Sequence, residues 1–518
     1  MSPRVRGSRP LAIALAAVAI AVGVAGPSVA VTLTPVGTVS EFYAGITADA
    51  EPYSIAAGPD GDMWFVQLNG QVGRITPSGT VKEFSAGITP SSNPNGIAAG
   101  PDGDMWIAQY DSDQIGRITM SGKVTEFSTG ITAGSAPFQI AAGPDGDMWF
   151  TQYASGQIGR ITMTGQVKEF TVAGGVPWGI AAGPDGNMWF TQHDGNQIGR
   201  ITMSGHISYF NHGISANSQP TGIAAGPDGD MWFAQYDGDE IGRITTTGGI
   251  TEFGTGITAH SAPYGIAAGP DNAMWFTEYD GSAIGRITMT GKVHEFTSGI
   301  TASSIPTGIA EGPAGSMWFV QEIGERVGRI STGVPSPPRA VTASPRNKAA
   351  VVSWAAPVSD GAAAISGYRV VALPGGKTCV TSGARTCTVS GLKNKTSYRF
   401  LVSARNTIGS SPESGWSSAV VAGTPTAPRG LTVAFPHPDG ATASWQAPAF
   451  TGSGPVSSYE ARWSADGGHS WSAWTSTNLH RRAGRAGLTK GDTYLVEVRA
   501  RNHSGAGLIA TRTFTQSR

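Results

Sequence analysis

The side chains with the greatest capacity for chemistry in this sequence stand at fixed distances from a recurring tryptophan. An amide or a carboxylate comes three residues after it, and the next position is aromatic, histidine or acidic in six of seven cases. The first set is Gln67, Gln109, Gln152, Gln192, Gln235, Glu278 and Gln321, and the second is Leu68, Tyr110, Tyr153, His193, Tyr236, Tyr279 and Glu322. Aromatic faces beside amides suit a planar or sugar-like ligand, held by stacking and hydrogen bonds.

The elements that must position these residues are short strands in a repeat. Met-Trp recurs every 40–43 residues, at Trp64, Trp106, Trp149, Trp189, Trp232, Trp275 and Trp318. One unit, 263–296, reads PYGIAAGPDNAMWFTEYDGSAIGRITMTGKVHEF, in which four β-favouring runs are separated by turn residues. Such turns use glycine for positive φ, and the chain has 73 Gly in 518 residues, about twice the usual ~7%. Four strands per unit are typical of a β-propeller blade.

The two ends of the repeat indicate how the array closes. Val36 to Phe42 reads as a fourth strand ahead of the first unit, whereas the Trp318 unit stops at Ile330 without one. Pairing the two removes exposed sheet edges. We predict an all-β fold with seven blades over residues 31–333, closed by the N-terminal strand; an open solenoid is the alternative.

Antiparallel pairing brings the start of each inner strand beside the end of the second strand, at one mouth of the propeller. The inner-strand residues there are Tyr53, Asn95, Phe138, Trp178, Thr221, Tyr264 and Thr307. Six side chains are predicted to contact a ligand: Tyr53, Phe138, Trp178, Tyr264, Gln192 and Gln235. The alternative is that the repeated Gln and Tyr residues only join neighbouring blades.

Residues that break the repeat are further candidates for function. They are Trp178, His193, Glu278, Glu311 and Glu322. His193 is the candidate catalytic base, and Glu322 and Glu278 are the candidate ligands of a hard metal ion.

The N-terminus has the features of a signal peptide over residues 1–30. Arg4, Arg6 and Arg9 precede the apolar run Leu11–Val24, which is shorter than the ~20 residues of a membrane span. We expect a secreted protein beginning near Val31, with an uncleaved anchor as the alternative. In an oxidising compartment, Cys379 and Cys387 are predicted to close a hairpin disulfide.

The remainder of the chain follows a Pro-rich linker at 334–338. Residues 339–424 and 425–518 each carry an early Trp (Trp354, Trp445) and a Leu-x5-Tyr segment (392–398, 488–494). Both resemble fibronectin type III β-sandwiches. The resemblance implies spacer or adhesive modules, with contact to a cell surface or polysaccharide.

The sequence motifs of the repeat units resemble those of the streptogramin lyase (virginiamycin B lyase) family. The shared motifs are Pro-Tyr-Gly-Ile-Ala-Ala-Gly-Pro-Asp, Met-Trp-Phe-Thr-Glu and Ile-Gly-Arg-Ile-Thr, and the resemblance spans all seven blades. It implies Mg²⁺-assisted elimination that opens cyclic depsipeptides, with a base that removes an α-proton and a metal that stabilises the enolate.

Several positions depart from the family's catalytic pattern. Where the resemblance implies Glu-Pro-His, this chain has Ile305-Pro306-Thr307, and Tyr264 stands where a second His is implied. Glu322 matches a metal-binding Glu, and Glu51 precedes Pro52 without a following His.

The function expected from the sequence is ligand recognition by a secreted protein, because the implied catalytic His is absent. A peptide, glycan or small molecule would bind at the mouth. The alternatives are an active Mg²⁺-dependent carbon–oxygen lyase and a carbohydrate-associated enzyme or binding protein. A net charge of −1 excludes nucleic-acid binding through bulk charge. We expect a monomer with no transmembrane segment after signal cleavage.

Overall fold

The computed structural model describes residues 32–452 and 454–517, which form strands and two short 3₁₀ helices, Pro313–Gly315 and Glu322–Gly324. The all-β fold class is therefore confirmed. The predicted signal peptide lies outside the described residues. Within these two ranges, no helix has the length and apolarity needed to cross a membrane.

Seven antiparallel four-stranded sheets, here called blades 1 to 7, follow the short strand β1 (Thr32–Leu33). Each blade is given from its inner to its outer strand. Blade 1 is β3 (Pro52–Ala57), β4 (Met63–Gln67), β5 (Gln71–Ile75) and β6 (Val81–Phe84); blade 2 is β7 (Pro94–Ala99), β8 (Met105–Gln109), β9 (Gln114–Ile118) and β10 (Val124–Phe127); blade 3 is β11 (Pro137–Ala142), β12 (Met148–Gln152), β13 (Gln157–Ile161) and β14 (Val167–Thr171). Blade 4 is β15 (Pro177–Ala182), β16 (Met188–Gln192), β17 (Gln197–Ile201) and β18 (Ile207–Phe210); blade 5 is β19 (Pro220–Ala225), β20 (Met231–Gln235), β21 (Glu240–Ile244) and β22 (Ile250–Phe253). Blade 6 is β23 (Pro263–Ala268), β24 (Ala273–Glu278), β25 (Ala283–Thr288) and β26 (Val293–Phe296); blade 7 is β27 (Pro306–Gly312), β28 (Ser316–Gln321), β29 (Arg326–Ser331) and β2 (Val39–Phe42).

Blade 7 combines strands from both ends of the repeat region. β2 pairs antiparallel with β29, with Val39 opposite Ile330. The inner strands of blades 7 and 1 are in contact, and Phe65 of blade 1 packs in one cluster with Trp318 of blade 7. The sheets therefore form a ring in which the N-terminal strand is the outer strand of the last blade.

The recurring tryptophan is the centre of the packing between blades. Trp64 is fully buried, stacks on Phe84 at a centroid distance of 5.3 Å, and shares a cluster with Met105 of the next blade. A Cβ at Gly73 would lie 2.0 Å from the Phe65 ring, which explains the glycine of the Ile-Gly-Arg strand. Truncating such a core aromatic costs ~3–5 kcal/mol.

Two β-sandwiches follow the propeller. The first contains β30 (Arg339–Arg346), β31 (Ala349–Ala355), β32 (Ser359–Gly361), β33 (Gly367–Leu373), β34 (Lys377–Thr381), β35 (Thr386–Ser390), β36 (Ser397–Arg405) and β37 (Val420–Val421). The second contains β38 (Arg429–His437), β39 (Gly440–Gln446), β40 (Ser458–Ser464), β41 (Thr475–Asn478), β42 (Arg482–Arg485), β43 (Thr493–Asn502) and β44 (Gly505–Thr515). In both, the buried Trp packs on a Tyr, and a second Tyr hydroxyl accepts a backbone N–H at 2.9 Å, from Lys393 to Tyr398 and from Thr489 to Tyr494.

The predicted disulfide between Cys379 and Cys387 is present, but its place differs from a hairpin. β34 belongs to the sheet β34-β33-β36-β37, whereas β35 belongs to β30-β31-β35. The bond therefore joins the two sheets at one edge of the first sandwich, because the chain crosses between sheets in the turn that separates the cysteines.

The segment 334–338 lies largely buried between the propeller and the first sandwich. Val334 is 4% exposed, and Asn406 of the sandwich donates to the carbonyl of Gly333 at 2.8 Å. β1 also pairs in parallel with β32 of this sandwich. The linker is thus fixed by contacts with both the propeller and the first sandwich.

Candidate functional site

Aromatic side chains converge on the propeller axis at the end where the inner strands begin. They form a cavity of about 200 Å³, here called the mouth cavity, lined by Tyr53, Trp178, His193, Thr221, Tyr236, Tyr264 and Tyr279. The hydroxyls of Tyr53 and Tyr264 are hydrogen-bonded to each other. Tyr53, Trp178 and Tyr264 also line a second cavity of about 170 Å³ further along the axis. These three rings therefore separate the mouth from the central channel.

Hydroxyl groups fix the backbone that carries the rings. Thr307 donates to the carbonyl of Tyr53 at 2.8 Å, and Thr151 donates to that of Trp178 at 2.9 Å. Each bond ties an inner strand to the neighbouring blade. The aromatic side chains consequently project from a backbone held from two sides.

Trp178 packs against rings on several sides. The His193 imidazole stacks on it at 4.7 Å between centroids, and Phe138 meets it edge-on at 4.6 Å. Phe138 is 5% exposed and lies behind the cavity wall. Of the predicted residues, the structure thus brings Tyr53, Trp178, Tyr264 and His193 to the cavity.

Three residues outside the predicted ligand set also line the cavity: Thr221, Tyr236 and Tyr279. Their repeat positions place them at the mouth, but Tyr is common at one position and Thr occurs twice at the other. Residue type alone therefore does not distinguish these three residues from the equivalent residues of other blades. They line the cavity because of how the side chains pack around the propeller axis.

The repeated glutamines form hydrogen bonds within their own blades and do not line the mouth cavity. Gln235 is fully buried, and its Nε2 donates to Glu252 on the outer strand at 2.7 Å. Glu252 also accepts from the backbone and hydroxyl of Ser215 in the loop that leads into the blade. Equivalent Gln–Glu bonds occur in four more blades, from Gln67, Gln109, Gln152 and Gln321. These contacts give the glutamines a structural role, because they hold the second and outer strands of a blade to the loop that enters it from the preceding blade.

In blade 4, the glutamine bonds directly to the loop that enters the blade. Its outer strand has Tyr209 instead of Glu, and Gln192 donates to the carbonyls of Ala173 and Gly175, both at 3.0 Å. Gln192 is fully buried. Gln192 and Gln235 therefore do not line the mouth cavity.

Blade 6 has Glu278 at the glutamine position, facing Glu295. Glu278 is 1% exposed, and its Oε1 has no hydrogen-bond partner. Burial, followed by the Glu295 charge, raises the pKa of Glu278 to about 8. A protonated Glu278 supplies the donor that glutamine supplies elsewhere. Glu278 therefore belongs to the hydrogen-bond network within blade 6 and does not line the mouth cavity.

Glu322 lies at the mouth, immediately after the second strand of blade 7. Its Oε2 is buried without a hydrogen-bond partner. Burial, followed by Glu51, raises its pKa. Its charge acts on Tyr53, Tyr264 and Tyr279, and burial together with Glu322 raises the pKa of Tyr279 to about 12. Glu322 therefore provides negative charge beside the aromatic rings.

His193 has an acidic neighbour of its own. Its Nδ1 lies 2.8 Å from Oδ1 of Asp194, in the loop that follows β16. Glu311 lies at the opposite end of its inner strand, where it pairs with Met317, away from the mouth cavity.

The acidic and histidine side chains do not assemble into a metal site. Across residues 32–452 and 454–517, no three or more His, Cys, Asp or Glu side chains are grouped so that they could hold a metal ion. Glu322 has one acidic neighbour, Glu51, and the tyrosines of the cavity wall are poor Mg²⁺ ligands when protonated. The residues present therefore do not fit the Mg²⁺ that the family resemblance implies.

Solved structures of two lyases are similar to the propeller. A streptogramin B lyase structure is 34% identical and covers 57% of this chain and 97% of its own, with a TM-score of 0.54. Virginiamycin B lyase from Staphylococcus aureus is 34% identical and covers 57% of this chain and 99% of its own, with a TM-score of 0.53. A catalytically inactive form of that enzyme with quinupristin has the same identity and coverage.

Family profiles agree with these structural similarities. The fibronectin type III profile matches residues 336–420 and 426–516. A comparison with curated proteins finds no match. The virginiamycin B lyase profile matches residues 37–254 and 211–336, which together exceed half of the chain. On these matches, the chain belongs to the virginiamycin B lyase family and carries two fibronectin type III domains after its propeller.

Proposed function

We propose that this protein is a secreted family member that binds a small ligand in the mouth cavity and does not catalyse the lyase reaction. The observation that carries the proposal is the state of Thr307, which stands where the resemblance implies the catalytic base. Thr307 is fully buried, and its hydroxyl is committed to the carbonyl of Tyr53. A threonine hydroxyl is not a base near neutral pH, and loss of a general base costs ~10²–10⁴-fold in rate.

The other two substituted positions point the same way. Ile305 provides no carboxylate. Burial raises the pKa of Tyr264 well above its ordinary value, and its hydroxyl is bonded to Tyr53. Neither position therefore offers an anionic group to a metal ion or to a substrate proton.

The size of the cavity supports a small ligand. Pockets for drug-sized molecules span ~300–1,000 Å³, whereas the mouth cavity has about 200 Å³. A group of a few heavy atoms fills this volume, so only part of a macrocyclic depsipeptide could enter it.

The direct test is incubation of the full protein with a cyclic depsipeptide of the streptogramin B type and Mg²⁺. Elimination leaves the mass unchanged, so the ring-opened product is followed by chromatography before mass spectrometry. Staphylococcus aureus virginiamycin B lyase is the positive control. We expect no product from this chain; product formation that is lost in Glu322→Gln would overturn the proposal.

The alternative, an active lyase, is favoured by one observation, the unpaired Oε2 of Glu322 near Glu51. A triple variant, Ile305→Glu with Thr307→His and Tyr264→His, restores the implied set on the same scaffold. Activity of this variant alone supports the proposal. Lyase activity in the wild type as high as in the triple variant supports the alternative.

Secretion has two supports. The N-terminal segment has the composition of a signal peptide, and the Cys379–Cys387 disulfide requires an oxidising compartment to persist. N-terminal sequencing of protein recovered from the culture medium should give a start near Val31. Recovery only from the cytoplasm with an intact Met1 would contradict it.

A further inference from the structure

We infer that the mouth cavity binds a small organic cation of the alkylammonium class, held against the tyrosine and tryptophan rings with Glu322 as its counter-charge. The inference rests on the proposed function, since it names the ligand of the same cavity. Three independent features carry it: the ring arrangement, an unpaired carboxylate oxygen, and the charge of the surrounding loops.

The rings form a cup around the mouth cavity, and their faces carry the negative potential. Tyr236, Tyr264 and Tyr279 contact one another at centroid distances of 5.4–6.3 Å, and Trp178 lies 6.2 Å from Tyr264. Ammonium groups bind where several aromatic rings surround them, because each ring face has negative potential. A cup of this composition therefore selects a cation over a neutral group of equal size.

A carboxylate stands beside the cup with unused hydrogen-bonding capacity. The Oε2 of Glu322 is buried and has no donor, although its charge acts on three tyrosines of the wall. A buried acceptor without a hydrogen-bond donor costs ~1–3 kcal/mol of folding stability. A cationic ligand in the cavity places its positive charge near this carboxylate, and a hydroxyl group on the ligand can donate to Oε2.

The loops around the mouth carry carboxylates but no basic side chains of Lys or Arg. The fourteen loops on this face, which lead into the inner strands or join the second and third strands, contain ten carboxylates and no Lys or Arg: Asp49, Glu51, Asp111, Asp113, Asp194, Asp237, Asp239, Asp280, Glu322 and Glu325. A one-signed rim of this kind attracts cations and raises their association rate.

The opposite face has a different charge balance. There the repeat arginines stack over the tryptophans and pair with aspartates of the Pro-Asp turns, as Arg74 does with Asp60 at 3.4 Å. Negative potential is therefore specific to the mouth, although the whole chain has a net charge of only −1.

The test uses choline and its uncharged carbon analogue 3,3-dimethyl-1-butanol, which have nearly the same shape. Binding to the full protein is followed by Trp fluorescence and by calorimetry. We expect saturable choline binding that weakens with salt, and at least tenfold weaker binding of the alcohol. Equal affinity for the two would overturn the inference.

Matched variants locate the site. Glu322→Gln should weaken choline binding by about tenfold, which corresponds to ~1.4 kcal/mol. Glu325→Gln is the control, because Glu325 lies in the same turn and its Oε1 is engaged by the backbone of Asp49. Trp178→Leu should abolish binding and the fluorescence response. An unchanged affinity in Glu322→Gln would overturn the inference.

The outcomes separate this inference from the proposed function. If a neutral sugar or peptide binds at Trp178 and choline does not, the inference fails while ligand recognition stands. If the wild type opens a depsipeptide ring, the proposed function itself fails.

Discussion

Replacing Glu278 with glutamine should restore in blade 6 the hydrogen bond that five other blades make between glutamine and an outer-strand glutamate. In the wild type, the donor exists only while Glu278 is protonated. Burial and the facing Glu295 raise its pKa from 4.5 to about 8. Glutamine donates at every pH, so the variant should be the more stable protein.

The magnitude follows from the pKa of the folded and unfolded states. At about pH 7 the unfolded chain has an ionised Glu278, and one pKa unit is worth ~1.4 kcal/mol, so retaining the proton costs about 3 kcal/mol. Because the folded pKa is raised, full stability is present below the unfolded pKa of 4.5 and is lost as the pH rises through about 8. The total loss over that window is about 5 kcal/mol.

The assay is thermal unfolding followed by Trp fluorescence at about pH 5, 7 and 9, since this range spans the window. The stabilisation by Glu278→Gln should be small at the lowest pH and largest at the highest. The reciprocal variant Gln235→Glu in blade 5 places a carboxyl group opposite Glu252 and should destabilise with the same pH dependence. A gain that is equal at all three pH values would refute the reasoning.

Three further outcomes are expected. Tyr53→Phe should lower stability by ~1 kcal/mol, because the buried Tyr264 hydroxyl loses its partner, and adding Tyr264→Phe should recover most of it in thermal unfolding. Cys379→Ser, which leaves Cys387 free, should destabilise the first sandwich by about 2–3 kcal/mol in chemical unfolding, with the propeller transition unchanged. Deleting Val39–Phe42 leaves an open edge on blade 7 and should give oligomers in size-exclusion chromatography; a stable monomer would contradict ring closure by this strand.

The blade strands could be predicted from the sequence because turn residues and Met-Trp recur at constant spacing. The mouth could be located for a similar reason, since antiparallel pairing fixes which residues share an end of the blade. Tyr53, Trp178, Tyr264 and His193 were found in this way.

The long-range contacts of individual side chains could not be predicted in the same way. Three residues past the Trp, Gln235 and Glu278 look equivalent to mouth residues, but their side chains turn toward the outer strand, where Glu252 and Glu295 lie. The cysteine spacing likewise indicated a hairpin, because sequence separation does not reveal that the chain changes sheets between β34 and β35. Both features depend on long-range packing, which local spacing does not contain.

The pairing of β2 with β29 has a consequence for synthesis of the chain. β2 leaves the ribosome before any complete blade, and its partner is made only when the seventh repeat is finished. β1 must wait still longer, because β32 belongs to the first sandwich. The earliest strands of the protein thus pair only after the seven repeats have been synthesised, and a ribosome that stalls before β29 leaves a chain whose ring cannot close.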